Sequence, residues 1–290
     1  MASGKDLKRR IASVNSTRQI TKAMKMVAAA RLRRAQDAIL RARPFALSIR
    51  SVVGDLIKSD SIREYHPLLS RRAAKKVNVI LVTSDRGLCG SFNTNLLKRA
   101  EALYREESGK YEKLVFTCFG KKGYEYLTLH KIPIHKYHQD FFKGFKYAKA
   151  HAAAEEMIQE YLAGDFDEIR VIFAEFKSAI SQIIVRQTLL PIEAKESNDD
   201  DVGDAADYLF EPNREKILDK LLPRYFIAQL YRSMLESQAS EHGARMAAMD
   251  NATKNAGEMI RKLTLEFNKV RQAGITKELL EIVSGAEALK

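Results

Sequence analysis

Apolar residues recur every three or four positions along the first 56 residues, and this period constrains the chain more than any other feature. Stepping alternately by four and three gives Leu7, Ile11, Val14, Arg18, Thr21, Lys25, Ala28, Leu32, Ala35, Ile39, Ala42, Ala46, Ile49, Val53 and Leu56. All but Arg18, Thr21 and Lys25 are apolar, which makes a sustained heptad seam. Strong helix formers (Ala, Arg, Lys, Leu, Met) dominate, and Pro44 is the only proline before Pro67. Such a helix, about 54 residues long, would run roughly 80 Å at 1.5 Å per residue. Pro44 is expected to bend it. Around the three polar steps, Ile20, Met24 and Val27 offer an apolar face turned sideways on the helix.

The far end repeats the pattern. Past Pro223 there is no proline, and Leu235, Ala239, His242, Met246, Met249, Thr253, Ala256, Ile260, Leu263, Phe267, Val270 and Gly274 again alternate steps of four and three. Two long heptad helices at opposite ends of one chain predict an intramolecular antiparallel coiled coil. Small seam residues (Ala28, Ala35, Ala239, Ala256) would let the helices approach closely. Heptads alone do not name a partner, so each helix could also lie on the middle domain or join a homo-oligomeric bundle.

Between these ends the period changes. Val77–Thr83 is a continuous β-branched apolar run suited to a buried parallel strand. The turn Ser84–Ser91 follows, then a helix from about Asn93 to Glu107. Further strands are expected at Lys113–Phe119, Ile132–His135, Glu168–Phe173 and Gln182–Leu190, with helices at Lys121–Leu129 and Lys146–Leu162. Strands alternating with helices predict an α/β domain with a mainly parallel sheet. The whole therefore reads as an N-terminal helix (1–58), an α/β domain (59–211) and a C-terminal helix (212–290), with an acidic loop near 193–206. Asp199, Asp200, Asp201 and Asp204 in that loop lack calcium-loop spacing.

Charge follows the same division. The chain carries a formal net charge of +12. Residues 1–58 hold a net +11, residues 59–211 a net −2 and residues 212–290 a net +3. A basic helix points to an acidic partner or a polyanion. Nucleic acid is one such polyanion, but Phe45 is the only aromatic in the basic segment, which leaves bases almost nothing to stack on. Cys89 and Cys118 are the only cysteines, too few for a disulfide framework. No run of about 18 apolar residues exists to span a membrane, and the charged start does not read as a signal peptide.

Self-contained chemistry is sparse. The turn Ser84–Ser91 has neither a Walker lysine nor G-x-G-x-x-G spacing, so its glycines read as turn residues, with an anion or nucleotide crevice as the alternative. His130, His135 and His138 lack metal-ligand spacing. No G-x-S-x-G, H-E-x-x-H or C-x-x-C motif occurs.

Three stretches carry a resemblance. RRIASVNSTRQITKAMKMVAAARLRRAQ, VTSDRGLCGSFNTNL and ARMAAMDNATKNAGEMIRKLTLEFNKVRQAGITKELLEIVSGAEAL resemble the gamma-subunit family of F-type ATP synthases, with block spacing like that of a bacterial member. The resemblance implies a long antiparallel coiled coil with a Rossmann-like domain inserted between its helices, acting as the rotor of that enzyme. It implies alpha, beta and epsilon subunits and the c ring as partners, and no nucleic acid. It also implies no cofactor and no catalytic residue in this chain. Membrane contact would be indirect, through the c ring, on the cytoplasmic face of a bacterial inner membrane. Carried onto this sequence, Arg271, Gln272 and Thr276 would meet a beta loop, with Arg10 and Ser13 as a second contact. Met24 and Lys25 would lie where the helix passes an acidic beta lever. Tyr208, Phe210 and Glu211 would meet the c ring and epsilon. The regulatory cysteine pair of the chloroplast branch has no counterpart here. A basic nucleic-acid-binding coiled coil and a nucleotide-binding enzyme are the competing readings.

Overall fold

The computed structural model describes residues 4–57, 66–193 and 214–287. In chain order the elements are α1 (Gly4–Leu56), β1 (Lys76–Val82), α2 (Phe92–Glu107), β2 (Lys113–Phe119), α3 (Lys121–Leu129), β3 (Ile134–His138), α4 (Tyr147–Leu162), β4 (Glu168–Phe176), β5 (Gln182–Leu190) and α5 (Arg214–Glu287). Two long helices thus flank a five-stranded sheet in the sequence. The chain divides into two compact units, one of residues 1–29 and 245–290, the other of residues 30–244.

In the larger unit the strand order is β3-β2-β1-β4-β5, parallel except for β5, which runs antiparallel to β4. Alternation along each strand feeds two cores. Val77, Val79 and Leu81 of β1 and Phe116 and Cys118 of β2 pack with Phe92, Leu96, Ala100 and Leu103 of α2 and Leu127 of α3. Ile80 and Val82, with Phe119 and Val171, face the opposite side, where α4 lays down Ala150, Ala153, Ala154, Met157, Ile158 and Tyr161. The second core also takes Ile49, Val53 and Leu56 of α1 and Leu218, Leu222, Phe226 and Leu230 of α5. Each fully buried aliphatic or phenyl side chain in these layers contributes about 1.5–3 kcal/mol.

Pro44, expected to bend the first helix, lies inside α1, and Pro223 lies inside α5. Pro44 stands on an exposed face of α1 beside exposed Leu40, so the carbonyl deprived of its partner can turn to water. The third strand begins two residues later than expected and reaches His138. Ile132 donates its N–H to Leu127 O at 3.0 Å to close α3, and Pro133 has no N–H to give a ladder. The fourth strand extends to Phe176, because its register with β5 continues to Gln182.

The sideways apolar face lies open: Ile20 and Val27 are 59% and 52% exposed, and Met24 is half-buried. The heptad runs straight through Thr21, which is buried, and Lys25, which is half-buried. Polar residues hold the seam because polar partners meet them.

Candidate partner-binding surface

The smaller unit pairs the first half of α1 with the second half of α5. Thr253 Oγ1 lies 2.8 Å from Thr21 Oγ1, and Lys25 Nζ donates to Asp250 Oδ1 at 2.6 Å. A Cβ on Gly4 would stand 3.9 Å from the Phe267 ring. Rising numbers on one helix meet falling numbers on the other, so the pair is antiparallel. Leu7, Ala28, Met249 and Ala256 are buried along its seam. The polar steps in the middle favour one register over its neighbours, since a slip would bury Thr21 and Thr253 against apolar groups.

Lys25 and Lys254 donate hydrogen bonds that hold the Asp250 carboxyl below the ordinary carboxylate range, Lys25 having the larger effect. A depressed folded-state value stabilises above the unfolded value and is lost as pH falls through the folded one. Acidification below about pH 4 is therefore expected to loosen this pairing. Protection factors at residues 18–28, with intrinsic exchange divided out at each pH, should fall between about pH 6 and pH 3 in the native chain and change less in Asp250→Asn. Identical pH profiles for the two chains would refute the assignment.

The residues singled out by the resemblance fall in separate patches. Arg10 and Ser13 are exposed one turn apart on α1, and the Ser13 carbonyl accepts from Thr17 Oγ1 at 3.1 Å. Arg271, Gln272 and Thr276 are exposed on α5, and Thr276 Oγ1 donates to Gln272 O at 3.0 Å. With Gly4 level with Phe267, Arg10 and Gln272 stand roughly 16 Å apart along the axis at 1.5 Å per residue. Met24 and Lys25 form a third patch, level with Asp250. Tyr208, Phe210 and Glu211, and the acidic loop from Ala194 onward, lie outside the described residues.

The structure adds two features that the heptads did not single out. Lys5, Lys8, Arg9, Arg10, Arg18 and Lys22 are all exposed, which puts the basic excess of the first segment on the outside of the pair. At the far end, every residue from Arg271 to Gly285 is exposed. This stretch carries Ile275, Leu279, Leu280, Ile282 and Val283. Their signal was present in the sequence: beyond Gly274 the seam positions become Lys277 and Glu281, while Ile275, Leu279 and Ile282 make a four-and-three series of their own. These apolar residues stand off the seam that serves α1.

In the α/β unit, the turn after β1 closes on itself. Ser84 N donates to Asn93 Oδ1 at 3.1 Å, Ser84 Oγ to Arg86 O at 2.7 Å and Asn93 Nδ2 to Ser84 Oγ at 2.8 Å. These side chains are engaged in shaping the turn.

A family model described as ATP synthase matches residues 3–289. Among curated proteins, the ATP synthase gamma chain of Geobacter sp. (strain M21) is 48% identical over 290 residues, covering 100% of both chains. That of Anaeromyxobacter sp. (strain Fw109-5) is 49% identical over 294 residues, again covering 100% of both. Among solved structures, a chain of the central stalk and c-ring of the Tetrahymena thermophila mitochondrial ATP synthase matches 80% of this chain and 99% of its own, with a TM-score of 0.61 at 26% identity. A chain from the OSCP/F1/c-ring structure of the Euglena gracilis mitochondrial enzyme matches 99% and 94%, with a TM-score of 0.69 at 20% identity, and shares the fold. The comparisons give no support to a basic nucleic-acid-binding coiled coil.

Proposed function

Because the chain belongs to the gamma-chain family of ATP synthases and is the central-stalk rotor of that enzyme, we propose that its paired helices turn inside the ring of alpha and beta subunits while its α/β unit stands with epsilon on the c ring. In this reading residues 1–58 and 212–290 are the shaft and residues 59–211 the foot. The observation that carries it is the end of α5: fifteen consecutive exposed residues, Arg271 to Gly285, present an apolar stripe that α1 does not cover. An exposed stripe of that kind calls for a partner.

One asymmetric rod meets three equivalent beta subunits with different faces. Only contacts that differ between beta conformations can shift their populations, so turning the rod drives each site through its states. The ATP chemistry is assigned to beta, and this chain supplies bias without a catalytic group or cofactor. Arg271, Gln272 and Thr276 are assigned to a beta loop, and Arg10 and Ser13 to a second contact. Met24 and Lys25 are assigned to the passage of an acidic beta lever, with the Lys25–Asp250 pair keeping the rod in register there. The exposed basic face of α1 complements such levers. Tyr208, Phe210 and Glu211 are assigned to the c ring and epsilon. The assembly is placed peripherally on the cytoplasmic face of a bacterial inner membrane; no helix among the described residues is long and apolar enough to cross one.

Co-expression with alpha and beta subunits tests the reading. A complex holding one copy of this chain, with ATPase activity that needs it, is expected. A homo-oligomer indifferent to those subunits would overturn it. Within the complex, Arg271→Leu combined with Gln272→Leu should lower turnover or coupling by about fivefold or more. Unchanged kinetics would remove both residues from the contact.

A further inference from the structure

In a sheet of order 3-2-1-4, successive crossovers leave β1 toward opposite sides, and a crevice opens at the carboxyl ends of β1 and β4 where such folds usually take a ligand. Here α5 occupies it. Ser240, wholly buried, donates through Oγ to Ala174 O of β4 at 2.9 Å. Buried Ser237 donates to Val82 O, the last residue of β1, at 3.4 Å. Glu236 Oε2 accepts the Phe176 N–H at 3.0 Å. One turn beyond Ser240, a Cβ on Gly243 would stand 3.1 Å from Ala179 Cα and from the Phe176 ring. Residues 236, 240 and 243 follow helical spacing, so a single face of α5 meets the ends of two strands.

We propose that Glu236, Ser237 and Ser240 are positioning residues that lock α5 to the sheet against twisting, and so carry torque between foot and shaft. The proposal rests on the rotor reading above. Apolar packing already holds this stretch of α5 on the sheet, and directional bonds add a resistance to turning about its axis. Hydrogen bonds weaken steeply once bent, so three of them spread over two strand ends oppose rotation in either sense. The two serines bond to the ends of different strands, and the glutamate lies one turn before Ser240 on the same side of the helix. Gly243 lets the hairpin between β4 and β5 close against the same face.

The test uses the complete membrane complex reconstituted into vesicles, with ATP hydrolysis and ATP-driven membrane potential measured together. In Glu236→Ala/Ser237→Ala/Ser240→Ala, hydrolysis should stay near the native rate while charge transported per ATP against an opposing potential falls about threefold or more. Glu236→Gln keeps an oxygen to accept the Phe176 N–H and should couple like the native chain. A role confined to stability would lower assembly and leave transport per ATP unchanged in the complexes that form, and that outcome overturns the proposal. Should the triple variant fail to assemble, Glu236→Ala is measured alone: reduced transport per ATP supports the lock and native transport overturns it. Failure of the native chain to confer ATPase activity on alpha and beta would defeat the rotor reading itself, before any variant is compared.

Discussion

Replacing Gly120 by alanine is expected to destabilise the α/β unit by roughly 3–5 kcal/mol. Gly120 joins β2 to α3 with φ at +104°, a conformation that side chains rarely adopt. Space is the larger obstacle. An added Cβ would lie 2.3 Å from Thr83 O and 2.6 Å from Thr83 C, and both are backbone atoms that cannot swing aside. Thr83 is itself pinned. Its N–H donates to Phe119 O at 2.8 Å, and its Oγ1 accepts the Gly123 N–H at 2.9 Å. A methyl group must therefore part the ends of β1 and β2, the two strands at the centre of the sheet. Gly144→Ala is the control: its φ of +63° is also left-handed, but nothing lies within 4 Å of the added Cβ. It should cost about 1 kcal/mol from backbone strain alone. Urea denaturation of the full chain, followed by far-UV circular dichroism, measures both. Equal losses for the two variants would mean that the contact with Thr83 contributes nothing.

Gly120 also marks a limit of reading the sequence. The glycines that stood out were Gly87 and Gly90, because they sit in a visible strand-to-helix turn. Nothing local distinguishes a single glycine between Phe119 and Lys121; its necessity comes from Thr83, a contact that exists only once β1 and β2 pair. The same holds along the helices. Leu7, Ala28, Leu32, Ala35, Ile49, Val53 and Leu56 are buried at their heptad positions, since period alone decides which side of a helix is apolar. Thr21 and Lys25 looked like gaps because polarity was visible and their partners, Thr253 and Asp250, were more than two hundred residues away. Strand order, with β1 central and β5 reversed, likewise required the pairing itself. Partner assignments at Arg271, Gln272 and Thr276 came from resemblance, whereas the separate apolar series beside them, Ile275, Leu279 and Ile282, was readable from spacing.

Glu107→Ala should cost about 3 kcal/mol, by removing the one acid that faces two guanidinium groups at the amino-terminal end of β4. Glu107 closes α2. Its Oε2 accepts from Arg170 Nη1 of β4 at 2.5 Å and its Oε1 from Arg186 Nη1 of β5 at 2.6 Å. Arg170 also forks onto Glu168 at 2.6 and 2.7 Å and donates to Tyr111 Oη at 2.8 Å. Burial works against the charge on Glu107, yet hydrogen bonds and attraction from Arg170, then Arg186, outweigh it and hold the carboxyl below the ordinary range. Alanine would leave Arg170, whose side chain is 11% exposed, with an unmet donor in a site that water barely reaches. Arg186 is more open and can turn to solvent, which keeps the estimate at the lower end for broken buried pairs. Glu107→Gln retains one acceptor and should cost about 1–2 kcal/mol. The pH dependence separates charge from packing: a depressed carboxyl stabilises at neutral pH and is lost as pH falls through its folded value, so native and Gln chains should converge in stability below about pH 4. A gap that stays constant down to pH 3 would assign the loss to packing. This network ties α2 to β4 and β5 at the sheet end opposite the Glu236–Ser240 lock. In a folded complex at low temperature, Glu107→Ala should therefore transport as much charge per ATP as the native chain, while the triple variant at the lock should not.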